Sequence, residues 1–224
     1  MLRSQSLYPA ELRARVASSY HLIRVATETE IKLAWSGTAA EARTHLEGHG
    51  YRDSTPRVLE IDQLFDRASG ELQRADQVLR LRRIVSADRE QAVVTYKGPA
   101  TREVHKSREE IEFTVSDPGA FCAVLERLAY QPGFRYEKYR TEFRADGEPG
   151  IVTLDETPIG MFLELEGPAY WIDAAAERLG FSPGSYLTES YARLYRQYQD
   201  KNPGVSANMT FAAKGSQAPQ TKEP

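Results

Sequence analysis

Hydrophobic and polar residues alternate along eight stretches of the chain. Alternation with a period of two is typical of β-strands that have one apolar face and one polar face. The predicted strands span residues 27–35, 58–66, 77–85, 91–97, 108–115, 134–144, 151–156 and 161–166. Asp146-Gly147 and Ile159-Gly160 supply turns between the last three of them.

Four other stretches predict helices. Thr38 and Glu41 have the spacing of a capping box ahead of a helix over residues 39–47. Asp117-Pro118 is a typical helix start, and that helix is expected to end near residue 130. Two further helices are predicted near residues 172–179 and 186–198, and the last has an apolar stripe along one side.

These elements indicate an α+β fold, an eight-stranded antiparallel β-barrel with helices packed outside. An open sheet of this size would leave two unpaired edges, which closure removes. We expect one domain over residues 22–201, after an N-terminal extension over residues 1–21. Residues 202–224 are rich in proline, glycine and small polar residues, so we expect a disordered tail there.

Composition narrows the class of protein. The formal net charge of the 224 residues is -3 and the pI is about 5.9, so the bulk charge does not indicate nucleic-acid binding. No stretch approaches the ~20 apolar residues that a membrane span needs, and no apolar signal core follows the N-terminus. A single cysteine excludes an internal disulfide. We therefore expect a cytoplasmic monomer or homodimer that contacts neither membrane nor nucleic acid.

Charged residues recur at every second position on several predicted strands. The rows comprise Glu28, Glu30 and Lys32; Arg80 and Arg82; Arg108, Glu110 and Glu112; Lys138 and Arg140; and Glu164 and Glu166. Lys97 and Asp155 stand near the ends of their strands. For one strand alone, a solvent-facing charged side is the ordinary interpretation. Because the same side is ionic on several strands and rich in arginine, we favour charged rows that face one another inside the barrel.

A charged lumen requires a ligand. Like charges at ~5 Å spacing repel one another, and burying each ion costs several kcal/mol. A polyphosphate together with a divalent cation would neutralise both signs, since bases bind phosphate and carboxylate oxygens suit Mg²⁺ or Mn²⁺. The opposite, apolar sides of the strands would then lie outward under the helices.

The Glu28-x-Glu30-x-Lys32 row resembles the signature of the CYTH superfamily, the triphosphate tunnel metalloenzymes. This superfamily includes class IV adenylyl cyclases, thiamine triphosphatases and inorganic triphosphatases. The resemblance continues in family order through Leu79-Arg80-Leu81-Arg82, Tyr96-Lys97-Gly98, Arg108-x-Glu110-x-Glu112, Lys138-x-Arg140, Asp155 and Glu164-Leu165-Glu166-Gly167. It spans about residues 27–198 and implies an eight-stranded antiparallel tunnel.

The resemblance also implies roles for individual residues. Metal ligands, directly or through water, would be Glu28, Glu30, Glu164 and Glu166, and Glu110, Glu112 and Asp155 would hold metal-bound water or orient the bases. The triphosphate would be bound by Lys32, Arg80, Arg82, Lys97, Arg108, Lys138 and Arg140. The catalytic group would be Glu28, Glu30, Lys97 and Asp155. Some hydrolases of the family have tyrosines in the second strand, where this chain has Asp62-Gln63-Leu64-Phe65-Asp66, so a tyrosine partner for Lys97 is not expected there.

Three functions fit this charged lumen. We favour a triphosphatase dependent on Mg²⁺ or Mn²⁺ that acts on tripolyphosphate, thiamine triphosphate or ATP, because hydrolysis needs only the shared parts of the site. The first alternative is a class IV adenylyl cyclase that makes cyclic AMP and pyrophosphate from ATP. The second is a non-catalytic module that binds polyphosphate or nucleotide, which the many carboxylates disfavour.

Overall fold

Eight long antiparallel strands close into a barrel in the computed structural model, which describes residues 24–212. They are β1 (Arg24–Trp35), β3 (Val58–Arg67), β4 (Val78–Val85), β5 (Glu90–Lys97), β7 (Lys106–Val115), β8 (Tyr130–Arg144), β9 (Ile151–Thr157) and β10 (Gly160–Glu166). Two-residue strands β2 (Arg52–Asp53) and β6 (Thr101–Arg102) pair with β8 and β7.

Neighbouring strands follow the order β1-β10-β9-β8-β3-β4-β5-β7, and β1 also pairs with β7. That last pairing joins the first and last strands of the order and closes the sheet. The barrel predicted from the alternation pattern is therefore confirmed.

Five α-helices lie around the barrel in the described part of the chain. They are α1 (Ala39–Gly48), α2 (Glu71–Arg74), α3 (Pro118–Arg127), α4 (Ala169–Arg178) and α5 (Tyr191–Lys201), and a 3₁₀ turn spans Pro183–Ser185. The predicted capping box is present, since the Thr38 side chain accepts from the Glu41 N–H and the Glu41 carboxylate accepts from the Thr38 N–H.

The largest apolar cluster lies outside the barrel wall. Ile31 and Leu33 of β1 and Leu163 and Leu165 of β10 are fully buried against α1 and α4. A second cluster joins Leu81 and Val94 to α3 on another side of the barrel. Alternation along each strand therefore turns the residues between these apolar ones toward the lumen.

Helix α5 covers one end of the barrel. The Tyr191 ring packs against the rings of Phe162 and Tyr136, with centroid distances of 5.6 Å to Phe162 and 6.0 Å to Tyr136. Both partners are lumen-facing residues, two positions before Glu164 and Lys138 on their strands. The helix thus stands against the interior of the barrel, and the lumen opens toward the other end.

Two sequence-based boundaries differ from the structure. Helix α5 begins at Tyr191 rather than near residue 186, because Ser190 caps it and Leu187 pairs with Lys32 as an extended residue. Residues 202–212 are not a disordered tail, since Met209 is fully buried and exchanges backbone hydrogen bonds with Arg135 and Glu137 of β8. The expected extension over residues 1–21 and the rest of the expected tail, residues 213–224, lie outside the described residues.

Among residues 24–212, no helix is both long enough and apolar enough to cross a membrane.

Candidate functional site

The strand register assembles the charged rows into rings around the lumen. Glu30 of β1 pairs directly with Glu166 of β10, and the next lumen-facing residue of β10 toward α5 is Glu164. Repeating this step, from the paired residue to its lumen-facing neighbour, around all eight strands leads back to Glu30. This constant stagger is the shear of a barrel with tilted strands, so residues reached in this way lie at one height. The middle ring consists of Glu30, Glu164, Asp155, Lys138, Asp62, Arg80, Lys97 and Arg108.

A second ring lies one position further from α5. This outer ring consists of Glu28, Glu166, Thr153, Arg140, Glu60, Arg82, Thr95 and Glu110. Lys32 and Lys106 lie one position on the α5 side of the middle ring. All eight members of the middle ring are charged, four acids and four bases, so the lumen at this height has an ionic wall on every strand.

Most of these ions are buried. Asp62 and Asp155 have no exposed surface, and Lys138 is 2% exposed. Because burying an unpaired ion costs several kcal/mol, each must find a partner of opposite charge in the protein or in a ligand.

One part of the lumen is neutralised by the protein itself. Lys138 Nζ lies 2.7 Å from Asp155 Oδ2, and Arg140 contacts the same carboxylate with both Nε and Nη2. Arg82 Nε donates to Asp62 over 2.7 Å, and its Nη1 donates to Glu60 over 2.9 Å. Burial raises the pKa of Glu60 and Asp62, but the surrounding bases, Arg82 first among them, together outweigh burial and lower both.

Three carboxylates face one another on the other side of the outer ring. Glu110, Glu28 and Glu166 stand side by side on β7, β1 and β10. Burial and the adjacent Glu166 raise the pKa of Glu28 to about 8, and burial and Glu30 raise the pKa of Glu166. Lys97 contacts Glu110 and lies 3.9 Å from Glu28, which does not offset these effects. Protein groups alone therefore leave this row short of positive charge.

Bases crowd together on the wall formed by β4, β5 and β7. Burial and the nearby Arg80 lower the pKa of Lys97, and burial lowers the pKa of Lys106 to about 8 and that of Arg108. Arg80 Nε and Arg108 Nε are buried without a hydrogen-bond acceptor. Lowered pKa values on this wall mean that nearby carboxylates do not offset the cost of burying the bases. An anion bound there would therefore stabilise their charged forms.

The donor set suits a hard divalent cation, although the side chains do not stand in coordinating positions. Glu28, Glu110 and Glu166 offer carboxylate oxygens, the ligands of Mg²⁺ and Mn²⁺, and the negative charge of Glu28 and Glu166 is not compensated by protein groups. No three acidic, histidine or cysteine side chains in residues 24–212 already converge closely enough to hold an ion. Binding would therefore require the carboxylates to turn toward one another.

Every residue that the sequence singled out lies in or beside the lumen, with one at its rim. Glu112 lies beyond the outer ring, its side chain is 41% exposed, and it accepts a 3.1 Å hydrogen bond from Thr95 Oγ1. Glu30 and Glu164 differ from Glu28 and Glu166, since Lys32 lies within 3.5 Å of the former two. Nearby bases outweigh burial and lower the pKa of both: Lys32 and Lys106 at Glu30, and Arg140 and Lys32 at Glu164. The structure therefore separates the four proposed metal ligands into a neutralised pair and an uncompensated pair.

Several lumen residues escaped the sequence analysis, among them Glu60, Asp62, Lys106 and Tyr191. Glu60 and Asp62 alternate with Leu59 and Ile61, but the row then continues into the apolar Leu64, so its ionic side was overlooked. Lys106 continues the row of Arg108 and Glu110 just before the predicted start of that strand, and it contacts Glu30. Tyr191 carried no such signal, because its hydroxyl reaches the lumen from a helix.

Comparisons with known proteins agree with this architecture. A family model described as the CYTH domain matches residues 26–191. A protein of Methanocaldococcus jannaschii named "Putative adenylate cyclase MJ0240" is 32% identical over 73 residues, which is 33% of this chain and 41% of that relative. The aligned segment thus spans less than half of the relative's length.

Solved structures share the fold. The PH1819 protein from Pyrococcus horikoshii superposes with a TM-score of 0.64 at 23% identity, over 76% of this chain and 99% of that one. The Hippeastrum protein HpAC1, named as an adenylyl cyclase candidate and described as revealing a dominant triphosphatase activity, superposes with a TM-score of 0.56 at 16% identity, over 76% of this chain and 96% of its own. At these identities the likeness establishes the fold alone. Since the family model covers most of the sequence and the charged barrel agrees with it, the chain belongs to the CYTH family.

Proposed function

We propose that this protein hydrolyses a triphosphate in the lumen with the help of a divalent cation, Mg²⁺ or Mn²⁺. The observation that carries the proposal is the pair of opposite electrostatic deficits in one cavity. Glu28 and Glu166 lack positive charge on one side of the lumen, and Lys97 and Arg108 on the wall formed by β4, β5 and β7 have pKa values lowered by burial that nearby carboxylates do not offset. A triphosphate and its cation would compensate both.

The acidic row is where the cation would be held. Glu28, Glu110 and Glu166 are the residues we assign to it, with Glu30 and Glu164 beside them in the middle ring. Bound there, the cation would supply Lewis acidity and neutralise charge on phosphate oxygens. Lys97 contacts Glu110 and belongs to the basic wall, so it joins the two halves of the site.

The basic wall would bind and polarise the phosphates. Arginine presents a planar fork of N–H donors to phosphate oxygens, and lysine acts as a point charge. Arg80 and Arg108 each have a buried Nε without a hydrogen-bond acceptor, with Arg80 Nε 3.4 Å from Asp62 Oδ1, so either guanidinium could turn toward a ligand without breaking a hydrogen bond at Nε. As negative charge develops on the departing phosphate, these fixed charges would stabilise it in a site that is shielded from water.

Access to the site is one-sided. Helix α5 stands against the interior at one end, and Glu112 is partly exposed beyond the outer ring at the other. We infer that the polyphosphate enters past Glu112, so any organic group attached to it would remain near that mouth.

Cyclisation of ATP is the second candidate reaction, and it is suggested by the name of one relative. The M. jannaschii relative carries the name of an adenylate cyclase, and the Hippeastrum protein is described with a dominant triphosphatase activity. Cyclisation would use the same charges but would have a ribose hydroxyl attack the α-phosphorus. The two reactions differ in their products, so chemistry can separate them.

The deciding experiment is an incubation with tripolyphosphate, thiamine triphosphate or ATP, with Mg²⁺ or Mn²⁺, followed by product separation. Orthophosphate in amounts that scale with enzyme supports the proposed hydrolysis, and cyclic AMP with pyrophosphate supports the cyclase instead. Glu90→Gln, a change in an exposed carboxylate paired with Arg83, serves as a control that keeps activity. Tight binding of all three compounds without turnover would replace the enzyme by a binding module.

A further inference from the structure

Residues 206–211, which we call the C-terminal strap, occupy a free edge of the barrel wall. Strand β9 pairs with β8 only along Tyr139–Phe143, so the part of β8 nearest α5 has no partner on that side. The strap fills this gap: Met209 forms a parallel bridge with Tyr136, Glu137 N donates to Met209 O over 2.8 Å, and Met209 N donates to Arg135 O over 3.1 Å. The Asn208 side chain accepts from Arg135 N over 2.9 Å.

The strap also holds α5. The Tyr195 hydroxyl reaches two strap carbonyls, 2.8 Å from Ser206 O and 3.1 Å from Asn208 O, and Gln199 Nε2 donates to Ser206 O over 2.9 Å. Met209 is fully buried in one cluster with Tyr191 and Tyr195. A single short segment therefore bonds to both the barrel wall and the helix that covers the lumen.

Tyr191 carries this attachment into the charged lumen. Its hydroxyl donates a 2.7 Å hydrogen bond to Asp155 Oδ2, the oxygen that also contacts Lys138 Nζ. The Tyr191 ring lies 5.0 Å from Lys138 Nζ and 5.3 Å from Lys32 Nζ, within the range of cation–π attraction. Asp155 has no exposed surface, so its orientation depends on Tyr191 together with Lys138 and Arg140.

We propose that the strap and Tyr191 form a positioning device that holds the Asp155 carboxylate, and through it the bases Lys138 and Arg140, in the arrangement that binds the phosphates. The strap fixes α5, α5 fixes the Tyr191 hydroxyl, and the hydroxyl fixes Asp155. The CYTH family model ends at residue 191, so the strap lies beyond the matched region. The proposal rests on the proposed function for its ligand and on contacts in this chain for its mechanism.

Three tyrosines on α5 provide a matched test, because each change to phenylalanine removes one hydroxyl and keeps the ring. Tyr191→Phe breaks the link to Asp155, and Tyr195→Phe breaks the link to the strap. Tyr198→Phe is the control, since in the described residues the Tyr198 hydroxyl makes no side-chain hydrogen bond. A chain stopped after Lys201 removes the strap altogether.

The readouts are KM and kcat for tripolyphosphate with Mg²⁺, the Kd for tripolyphosphate without metal, and amide exchange in α5 and around Asp155, all below the lowest melting temperature. We expect Tyr191→Phe, Tyr195→Phe and the stop after Lys201 to raise KM and Kd about three- to tenfold, the range that corresponds to losing one typical intramolecular hydrogen bond. The control should match the wild type. The double variant Tyr191→Phe/Tyr195→Phe should be no weaker than Tyr191→Phe, because both changes act on one chain of contacts.

A purely structural strap would give a different pattern. In that case the melting temperatures would fall while KM and Kd stayed at the wild-type value, or the effects of Tyr191→Phe and Tyr195→Phe on KM and Kd would add in the double variant. Either result overturns the proposal. If the wild type neither binds nor hydrolyses tripolyphosphate, the proposed function fails. Amide exchange then decides the positioning: faster exchange around Asp155 in both Tyr191→Phe and Tyr195→Phe but not in Tyr198→Phe supports it, and wild-type exchange around Asp155 in these variants overturns it.

Discussion

Lys32 and Glu164 form a buried ion pair across the pairing of β1 with β10, with 2.9 Å between Nζ and Oε1. Lys32 also lies 3.5 Å from Glu30, so one ammonium serves two carboxylates. Lys32→Met would leave both acids with less compensation, although Arg140 still contacts Glu164 and Lys106 still contacts Glu30. We expect a loss of about 3 kcal/mol in the free energy of unfolding, the lower end for breaking a buried pair.

Urea denaturation measures that loss. Arg83→Gln is the matched control, because Arg83 and Glu90 pair at the surface with both side chains nearly half exposed. It should cost less than about 1 kcal/mol. Equal losses in the two variants would mean that the lumen pair is no more important than a surface pair.

Glu28 is the residue on which the metal assignment depends most. Glu28→Gln keeps the shape of the side chain and removes a charge from the row that Glu110 and Glu166 complete. Without metal we expect unchanged or slightly raised thermal stability, because a repulsion is lost. With Mn²⁺ we expect a smaller rise in melting temperature than in the wild type, together with a steep loss of turnover, since a ligand stabilises in proportion to its affinity for the folded state.

The measurement is a Mn²⁺ titration of melting temperature in both proteins. Glu90→Gln, which changes an exposed carboxylate, should titrate like the wild type. Wild-type Mn²⁺ dependence in Glu28→Gln would remove Glu28 from the metal site.

Metal-free stability should depend on pH through Glu28. Its pKa in the folded protein is raised to about 8 by burial and by Glu166, from an ordinary value of 4.5. Between those values the folded state binds more protons than the unfolded state, so the free energy of unfolding falls as pH rises through this window. Denaturant titrations at pH 5, 6, 7 and 8 should show the decline in the wild type and a shallower one in Glu28→Gln. Parallel curves would show that Glu28 titrates normally.

Met209 anchors the C-terminal strap in the core formed with Tyr136 and Tyr191. Met209→Ala should lower the free energy of unfolding by about 2–5 kcal/mol, as for other fully buried methionines. A chain stopped after Lys201 should also melt at a lower temperature, whereas one stopped after Ala212 keeps the strap and should melt like the full chain. Calorimetry of the three chains tests this, and an unchanged melting temperature after the Lys201 stop would show that the strap contributes nothing to stability.

Gly150 lets α4 dock on the barrel. A Cβ at this position would lie 2.2 Å from the Trp171 ring, so Gly150→Ala must displace the indole or the backbone. Overpacking of this kind costs about 1–3 kcal/mol. Gly48→Ala is the control, because nothing lies within 4 Å of a Cβ added there. Chemical denaturation of both variants measures the difference, and similar stabilities would indicate that Trp171 moves freely.

Local patterns in the sequence determined much of this protein. The rows of Glu28, Glu30 and Lys32 and of Arg80 and Arg82 are readable because side-chain alternation is a property of the strand backbone itself. The apolar residues between them, such as Ile31 and Leu81, indicated that the other side of the wall would be covered. The barrel and the inward direction of the charges followed from these rows.

The grouping of charges was decided by the tertiary structure. Glu28, Glu110 and Glu166 belong to three strands, and only the stagger of the closed barrel brings them side by side while giving Glu30 and Glu164 to Lys32. Neither the register between strands nor the pKa values that follow from it are contained in any one segment. The same holds for Met209, an apolar residue in a segment without periodicity. It is buried because strand β9 leaves part of the β8 edge unpaired, and unpaired backbone groups there gain hydrogen bonds when the strap adds to the sheet.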